Sequence, residues 1–246
     1  MQKPFYQLEH HHEVIRQFTP NWFTMTMGTG VVALILPEFS FVHEWFWSVG
    51  AGLWQFNTIL FCVFSLLYLL RWLIYPHEAK QIFSHASMAL FLGAIPMGLA
   101  TVMNGFLKYG MTLYGDLALQ IAHGLWYLDV VLAVLIGIIV PFFMFSQQKH
   151  ELQTMTAMWL LPIVACEVAA TSGGLLLAHL PAGQEAVGIL FASYVLWGMS
   201  VLPAFGILSI LMLRLALHQL PSKELAITGW LALGPIGTGA LALLVL

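Results

Sequence analysis

Two carboxylic acids, Asp129 and Glu167, each lie near the middle of a long apolar run and are the residues best placed to do chemistry. A carboxylate at the centre of a bilayer costs about 2.5–3.5 kcal/mol on insertion scales, so it faces water, pairs or stays protonated. Glu167 is therefore a candidate proton carrier, and a neutral Glu hydrogen-bonded between helices is the alternative. Asp129 lies at a similar depth. For it, a structural hydrogen bond to a neighbouring backbone or hydroxyl group is favoured over proton coupling.

Glycine and proline interrupt four of the apolar runs at regular spacing. Gly28, Pro96, Pro162 and Pro235 follow one another at intervals of 68, 66 and 73 residues, which predicts a repeat of one helical hairpin. An interrupted membrane helix frees carbonyl groups that protein or water must satisfy, so interruptions favour helices that line a cavity. Glu167 is a candidate pore position, and the small or helix-interrupting candidates are Gly28, Thr29, Gly30, Pro96, Gly98, Pro162, Gly234, Pro235 and Gly237. Close packing of small residues between helices is the alternative for each, and the two roles are compatible.

The composition indicates that lipid surrounds these runs. The 246 residues are 60% hydrophobic and 8% charged, whereas about a quarter of a soluble domain is charged. A net charge of −3 argues against nucleic-acid binding, which needs a basic surface. Cys62 and Cys166 lie in apolar stretches and predict core packing rather than a disulfide framework. The tract at 10–12, three histidines, is typical of a solvated tail rather than a metal site, and no metal or cofactor is expected.

Apolar runs of this length predict an all-α integral membrane protein, because each exceeds the roughly 20 residues that cross a bilayer as a helix. A membrane barrel would show short alternating segments instead. We predict a tail at 1–16 and a transmembrane domain at 17–246. Its seven helices are expected at about 17–37, 45–71, 85–107, 115–146, 154–180, 186–214 and 225–246. The interrupted odd-numbered helices are predicted to lie inside, and the more uniform even-numbered ones outside.

The basic residues predict the orientation. With the N-terminus in the cytoplasm, only Lys108 falls on the outer side, and seven basic residues fall on the inner side. Those seven are Lys3, Arg16, Arg71, Lys80, Lys149, Arg214 and Lys223. The protein is therefore expected to be a multi-pass protein of the cytoplasmic membrane.

Two runs carry a family resemblance, FTPNWFTMTMGTGVVALIL at 18–36 and FLGAIPMGLATVMNG at 91–105. The chain resembles the tellurite-resistance/dicarboxylate transporter family. The resemblance implies ten helices arranged as five hairpins around a central pore, with the odd-numbered helices inside. It also implies a homotrimer in which each subunit has its own pore, and small anions as substrates: C4-dicarboxylates such as malate, sulfite or another inorganic anion.

Two departures from the family pattern matter. The chain supplies helices 1 to 7, so the ninth helix, which carries the pore-occluding Phe of channel members, is not in this sequence. We therefore expect the sequence to be truncated and the native chain to continue for about 70–100 residues by the repeat spacing. His85-Ala86 also stands where the family often has His-Pro.

A transporter or channel for small anions, passive or proton-coupled, is the favoured function. A membrane-embedded enzyme is the first alternative, but it would need converging His, Asp or Glu residues, and only Asp129 and Glu167 come close. A receptor-like bundle of seven helices is the second. It is disfavoured because helix 7 has no Lys to hold retinal and because the interruptions repeat by hairpin.

Overall fold

Proline determines how the odd-numbered helices begin. The computed structural model describes residues 12–223 and 225–246. Within them the segments Pro20–Trp22, Ala89–Gly93, Ala157–Leu160 and Ala226–Ala232 are 3₁₀ turns that lead directly into α-helix. Pro96, Pro162 and Pro235 each fall within the first three residues of the following α-helix. Proline is tolerated there because those N–H groups have no intrahelical acceptor.

Seven helices in the described residues are long and apolar enough to span a membrane, which confirms the predicted number. They are α1 (Pro20–Phe39), α2 (Trp45–Ile74), α3 (Ala89–Tyr114), α4 (Asp116–Ser146), α5 (Ala157–Leu177), α6 (Gln184–His218) and α7 (Ala226–Val245). The part of the chain that is described contains no strand, so the all-α class is also confirmed.

The even-numbered helices α2, α4 and α6 are continuous α-helices of 30, 31 and 35 residues. Pro141 and Pro203 lie inside α4 and α6 without ending them. Large apolar side chains on these helices, such as Ile59, Phe142 and Leu202, are exposed. This outer surface suits lipid, because lipid tails solvate such side chains as well as a protein core does.

The odd-numbered helices form a row, of which α3 and α5 are the inner members; the prediction that all odd-numbered helices lie inside is not met by α1 and α7. α1 packs on α3, α3 on α5 and α5 on α7, while α2, α4 and α6 cover the row from outside. In the apolar 18-residue stretch of each helix, 78% of the residues of α3 and of α5 are buried, whereas 28% are buried in α1 and 17% in α7, at the two ends of the row. The interior is thus built mainly around α3 and α5, and α1 and α7 have open faces.

Two local features differ from the sequence predictions. α3 continues past the predicted end at 107 through a π-helical turn, Phe106–Gly110, because Lys108 at this end pairs with Glu38 at the end of α1. α4 follows after Gly115, whose φ of +60° allows the tight connection. Cys166 is buried in the core as predicted, but Cys62 lies exposed on α2 among lipid-facing residues, so its prediction was wrong.

Candidate functional site

Glu167 is fully buried in α5 and joins three helices. The Ser200 hydroxyl of α6 donates a hydrogen bond to its Oε2 at 3.0 Å, and the Thr238 hydroxyl of α7 bonds to its Oε1. Both carboxyl oxygens therefore have a partner on a neighbouring helix. Sequence gives the depth of Glu167, but these partners lie 33 and 71 residues away, and only the fold brings them to it.

The Thr238 hydroxyl has one hydrogen and two acceptors within reach. Its Oγ1 is 2.7 Å from the Gly234 carbonyl and also contacts Glu167 Oε1. If the carboxyl is ionised, Thr238 donates to Oε1. If the carboxyl is protonated, it donates to Thr238 Oγ1, and Thr238 donates to the Gly234 carbonyl instead. The same heavy-atom positions therefore satisfy both protonation states of Glu167.

A close approach of α7 to α5 makes this arrangement possible. The Thr171 hydroxyl lies 3.0 Å from the Glu167 carbonyl and 3.2 Å from the Thr238 carbonyl. Gly239 presents its backbone to the carboxyl, and a methyl group on it would stand only 3.3 Å from Glu167 Oε1. Trp197 of α6 donates its indole N–H to the Gly239 carbonyl at 3.0 Å. Polar contacts thus hold the segment of α7 around Thr238 and Gly239 against α5 and α6.

Asp129 is also fully buried, but its surroundings differ. Neither of its carboxyl oxygens has a hydrogen-bond partner among the described residues, so the hydrogen bond predicted for it has no counterpart there. The indole of Trp126, which lies one turn earlier on α4, donates to the Ala169 carbonyl at 3.0 Å. Asp129 and Glu167 are not joined by a hydrogen bond in the described part of the chain.

Uncharged polar pairs, which the sequence reasoning missed, connect α3 to its neighbours α5 and α2. Asn104 of α3 donates to the Ser172 hydroxyl of α5 at 3.0 Å. Asn57 of α2 donates to the Thr101 hydroxyl of α3 at 3.2 Å. The signal that could have found them is an amide or hydroxyl at i and i+3 in an apolar helix, as at Thr101 and Asn104. These pairs give the interior polarity without net charge.

The predicted glycine positions divide into two groups. Gly30 and Gly98 are packing positions: a methyl group on Gly30 would overlap the Thr101 hydroxyl, and one on Gly98 would crowd the Thr26 hydroxyl. Pro96, Pro162 and Pro235 are buried where their α-helices begin, and Thr29 is half-buried. The exposed positions, with no neighbouring atom within 4 Å of an added methyl group, are Gly28, Gly234 and Gly237.

Apart from Asp129 and Glu167, the ionisable Asp, Glu, Lys and Arg side chains of the described residues lie near helix ends or in the connections. Arg214, near the end of α6, is buried and donates to the carbonyls of Gln153 and Gln219. Arg16 and Glu78 form an exposed ion pair at 2.8 Å, and the guanidinium holds the pKa of the Glu78 carboxyl below its ordinary value. Three or more potential metal ligands do not come together anywhere in the described part. Residues 10 and 11 of the histidine tract lie outside the described residues.

The helical bundle therefore encloses an interior that carries hydroxyl, amide and carboxyl groups. The sequence profile of the voltage-dependent anion channel family matches residues 17–246. The chain belongs to this family. The match confirms the resemblance carried by the runs at 18–36 and 91–105.

Relatives within the voltage-dependent anion channel family carry names that describe transport. The chain is 35% identical to the sulfite efflux pump of Arthroderma otae, over 94% of this chain and 61% of that protein. It is 28% identical to an uncharacterized transporter of Methanocaldococcus jannaschii, over 94% of this chain and 65% of that one. It is 25% identical to the malic acid transport protein of Schizosaccharomyces pombe, over 83% of this chain and 48% of the relative.

The chain spans 61% of the length of three fungal sulfite efflux pumps that it matches. Family and relatives are channels and transporters, and seven apolar helices make this chain a multi-pass membrane protein.

Proposed function

We propose that this protein passes small anions across the cytoplasmic membrane and has no enzymatic activity. The observation that carries the proposal is the family match over residues 17–246. The names of the relatives, a sulfite efflux pump and a malic acid transport protein, support an anionic substrate.

Sulfite is the substrate that we favour. Three fungal sulfite efflux pumps share 34% or 35% of aligned residues with this chain, whereas the malic acid transport protein shares 25% over a shorter alignment. A small inorganic anion needs fewer contacts than a C4-dicarboxylate with two charged ends.

The route proposed for the anion follows the row of odd-numbered helices. The exposed backbone at Gly28 on α1 and at Gly234 and Gly237 on α7 would offer peptide dipoles to a passing anion. Asn104 and Ser172 would supply neutral polar contacts between α3 and α5. Neutral contacts suit transport because an anion that is held by a buried Lys or Arg leaves slowly.

Proton coupling through Glu167 is the second part of the proposal. Its contacts with Ser200 and Thr238 accommodate both the carboxylate and the neutral acid without movement of heavy atoms. A proton carrier needs this tolerance, since it must gain and lose a proton while the bundle stays folded. Asp129 is the alternative proton site, because its carboxyl has no hydrogen-bond partner in the described residues that would fix one state.

The membrane orientation and assembly complete the proposal. Residues 17–246 would form one transmembrane domain with the N-terminus in the cytoplasm, as the distribution of basic residues predicts. The subunit would assemble as a homotrimer in the lipid bilayer, as the family resemblance implies.

Solute flux tests the proposal. The purified protein, reconstituted in proteoliposomes, is expected to pass sulfite faster than malate, nitrate or chloride, and faster at one of two pH values if protons are coupled. Protein-free liposomes are the control for leakage. Flux of all four anions at the protein-free rate would contradict anion transport, and malate flux above sulfite flux would contradict the substrate assignment.

A further inference from the structure

A cavity of about 90 Å³ lies at the N-terminal end of α5, well separated along the chain from Glu167. It is enclosed by the residues that precede α3 and by the connection between α4 and α5, and Leu225 lines it from the start of α7. Its polar lining includes Ser87, Lys149, His150 and Thr156. The orientation predicted from the basic residues puts this cavity on the cytoplasmic side.

Thr156 lines this cavity with a hydroxyl that the described part of the protein does not use. It is 4% exposed, and its hydroxyl makes no hydrogen bond with any residue in the described ranges. It also precedes the first turn of α5, Ala157–Leu160, where a Thr side chain would normally accept a hydrogen bond from a backbone N–H. Because Thr156 does not cap the helix, both its hydroxyl and the first N–H groups of α5 remain available to a ligand.

The charge around the cavity favours an anion. The ammonium group of Lys149 is exposed, and within residues 12–223 and 225–246 no carboxylate pairs with it. The lining residues in the described part include no Asp or Glu. The positive end of the α5 dipole adds to the Lys149 charge at the same place.

The wall of the cavity is held in place by hydrogen bonds. The Nε2 of His150 lies 2.8 Å from the Gln148 side-chain oxygen, and Gln148 donates its amide N–H to the Phe83 carbonyl at 2.6 Å. The His150 ring also packs edge-on against Trp159 at 5.0 Å. These contacts fix the connection before α5 against the segment before α3, so the cavity is built before any ligand arrives.

We propose that this cavity binds a small inorganic oxyanion such as sulfite, with Lys149 supplying charge and Thr156, Ser87 and the first N–H groups of α5 supplying hydrogen bonds. Its volume is several times the roughly 10–15 Å³ that one water molecule needs, which suits an anion of four heavy atoms better than a C4-dicarboxylate. A role as a station on the transport route rests on the function proposed above, whereas binding itself does not.

Calorimetric titration of the purified protein with sodium sulfite under anaerobic conditions tests the site. Lys149→Gln and Thr156→Val are each expected to weaken binding about tenfold, and Thr156→Ser is expected to retain it. Two matched controls should bind as the parent does. Lys80→Gln removes an exposed lysine outside the cavity, and Thr24→Val removes a hydroxyl outside the cavity that donates to the Asn21 carbonyl.

The phosphate of a lipid headgroup has similar chemistry, so the titration is repeated with a short-chain phosphatidylglycerol. Sulfite binding that lipid does not displace supports a site for the free anion. Binding of the lipid alone, equal losses in Lys80→Gln, or an unaffected Thr156→Val would overturn it. Sulfite flux of the parent protein in proteoliposomes separates the two proposals. Sulfite binding without flux would contradict the proposed function but support the binding site. Sulfite flux without binding in the titration would support the proposed function but contradict the binding site.

Discussion

Replacing Glu167 tests both its structural contacts and its proposed proton transfer. Glu167→Leu removes the acceptor of the Ser200 hydroxyl and one of the two acceptors of Thr238. Thr238 keeps the Gly234 carbonyl, so the loss falls mainly on Ser200, which is itself fully buried. A buried polar group left without its partner costs about 1–3 kcal/mol, so we expect Glu167→Leu to destabilise the protein by about that amount.

Glu167→Gln is expected to fold almost normally. Its amide oxygen accepts from Ser200, and its NH₂ donates to Thr238, whose own hydrogen then goes to the Gly234 carbonyl. Gln thus reproduces the neutral acid and cannot titrate. If Glu167 carries protons, flux should lose its pH dependence in this variant while the protein remains folded.

The assay has two readouts, thermal unfolding in detergent and sulfite flux in proteoliposomes at acid and neutral pH. For a chain of this size, a loss of about 1 kcal/mol lowers Tm by roughly 2–4 °C, so Glu167→Leu should unfold several degrees below the parent. Glu44→Gln and Glu44→Leu, at an exposed position, are the matched controls. An unchanged Tm in Glu167→Leu would refute the hydrogen-bond reasoning, and an unchanged pH profile in Glu167→Gln would exclude Glu167 as the proton carrier.

Three further predictions concern packing, ion pairing and topology. Gly30→Ala should lower stability by about 1–3 kcal/mol because its methyl group overlaps side chains of α2 and α3, whereas Gly28→Ala meets open space and should be nearly neutral in the same thermal unfolding assay. The ion pair between Glu78 and Arg16 lowers the pKa of Glu78, so its contribution is complete above the ordinary pKa of Glu and is lost as pH falls through the lowered value. Glu78→Gln should therefore reduce Tm at neutral pH but not at strongly acid pH, and an equal loss at both would contradict the pairing. A reporter fused after Gly110 should be located outside the cytoplasm, and a cytoplasmic signal would reverse the predicted orientation.

The helical architecture could be predicted because it follows from local features of the sequence. Apolar runs longer than a bilayer is thick specify spanning helices, and Gly and Pro mark the odd-numbered ones. The equivalent positions of the hairpin repeat were predicted less accurately. Its α-helices begin at Phe23, Ala94, Leu161 and Leu233, at intervals of 71, 67 and 72 residues. Gly28 therefore lies later in its helix than Pro96, Pro162 and Pro235 do in theirs, because Pro marks a helix start and Gly does not.

The end of α3 shows how a single charge misleads a prediction based on hydropathy. Lys108 interrupts the apolar run, so the predicted helix ends before it at 107. In the structure the chain continues through a π turn to Tyr114, because Lys108 pairs with Glu38 and Tyr109 donates its hydroxyl hydrogen to the Ala33 carbonyl. Both partners belong to α1: Glu38 precedes Lys108 by 70 residues, and Ala33 precedes Tyr109 by 76 residues. Local sequence carries no information about such contacts.

The two intramembrane acids show where sequence reasoning reaches its limit. Depth along a helix follows from residue counting, and it assigns Asp129 and Glu167 to similar levels. What distinguishes them is the neighbouring helices: Glu167 meets hydroxyls from α6 and α7, whereas Asp129 meets no hydrogen-bond partner in the described residues. A structural role was favoured for Asp129, yet the hydrogen-bonded position between helices is that of Glu167. The structural role and the proton-carrying role therefore compete at Glu167 itself, and a substitution that keeps its hydrogen bonds while removing titration is what separates them.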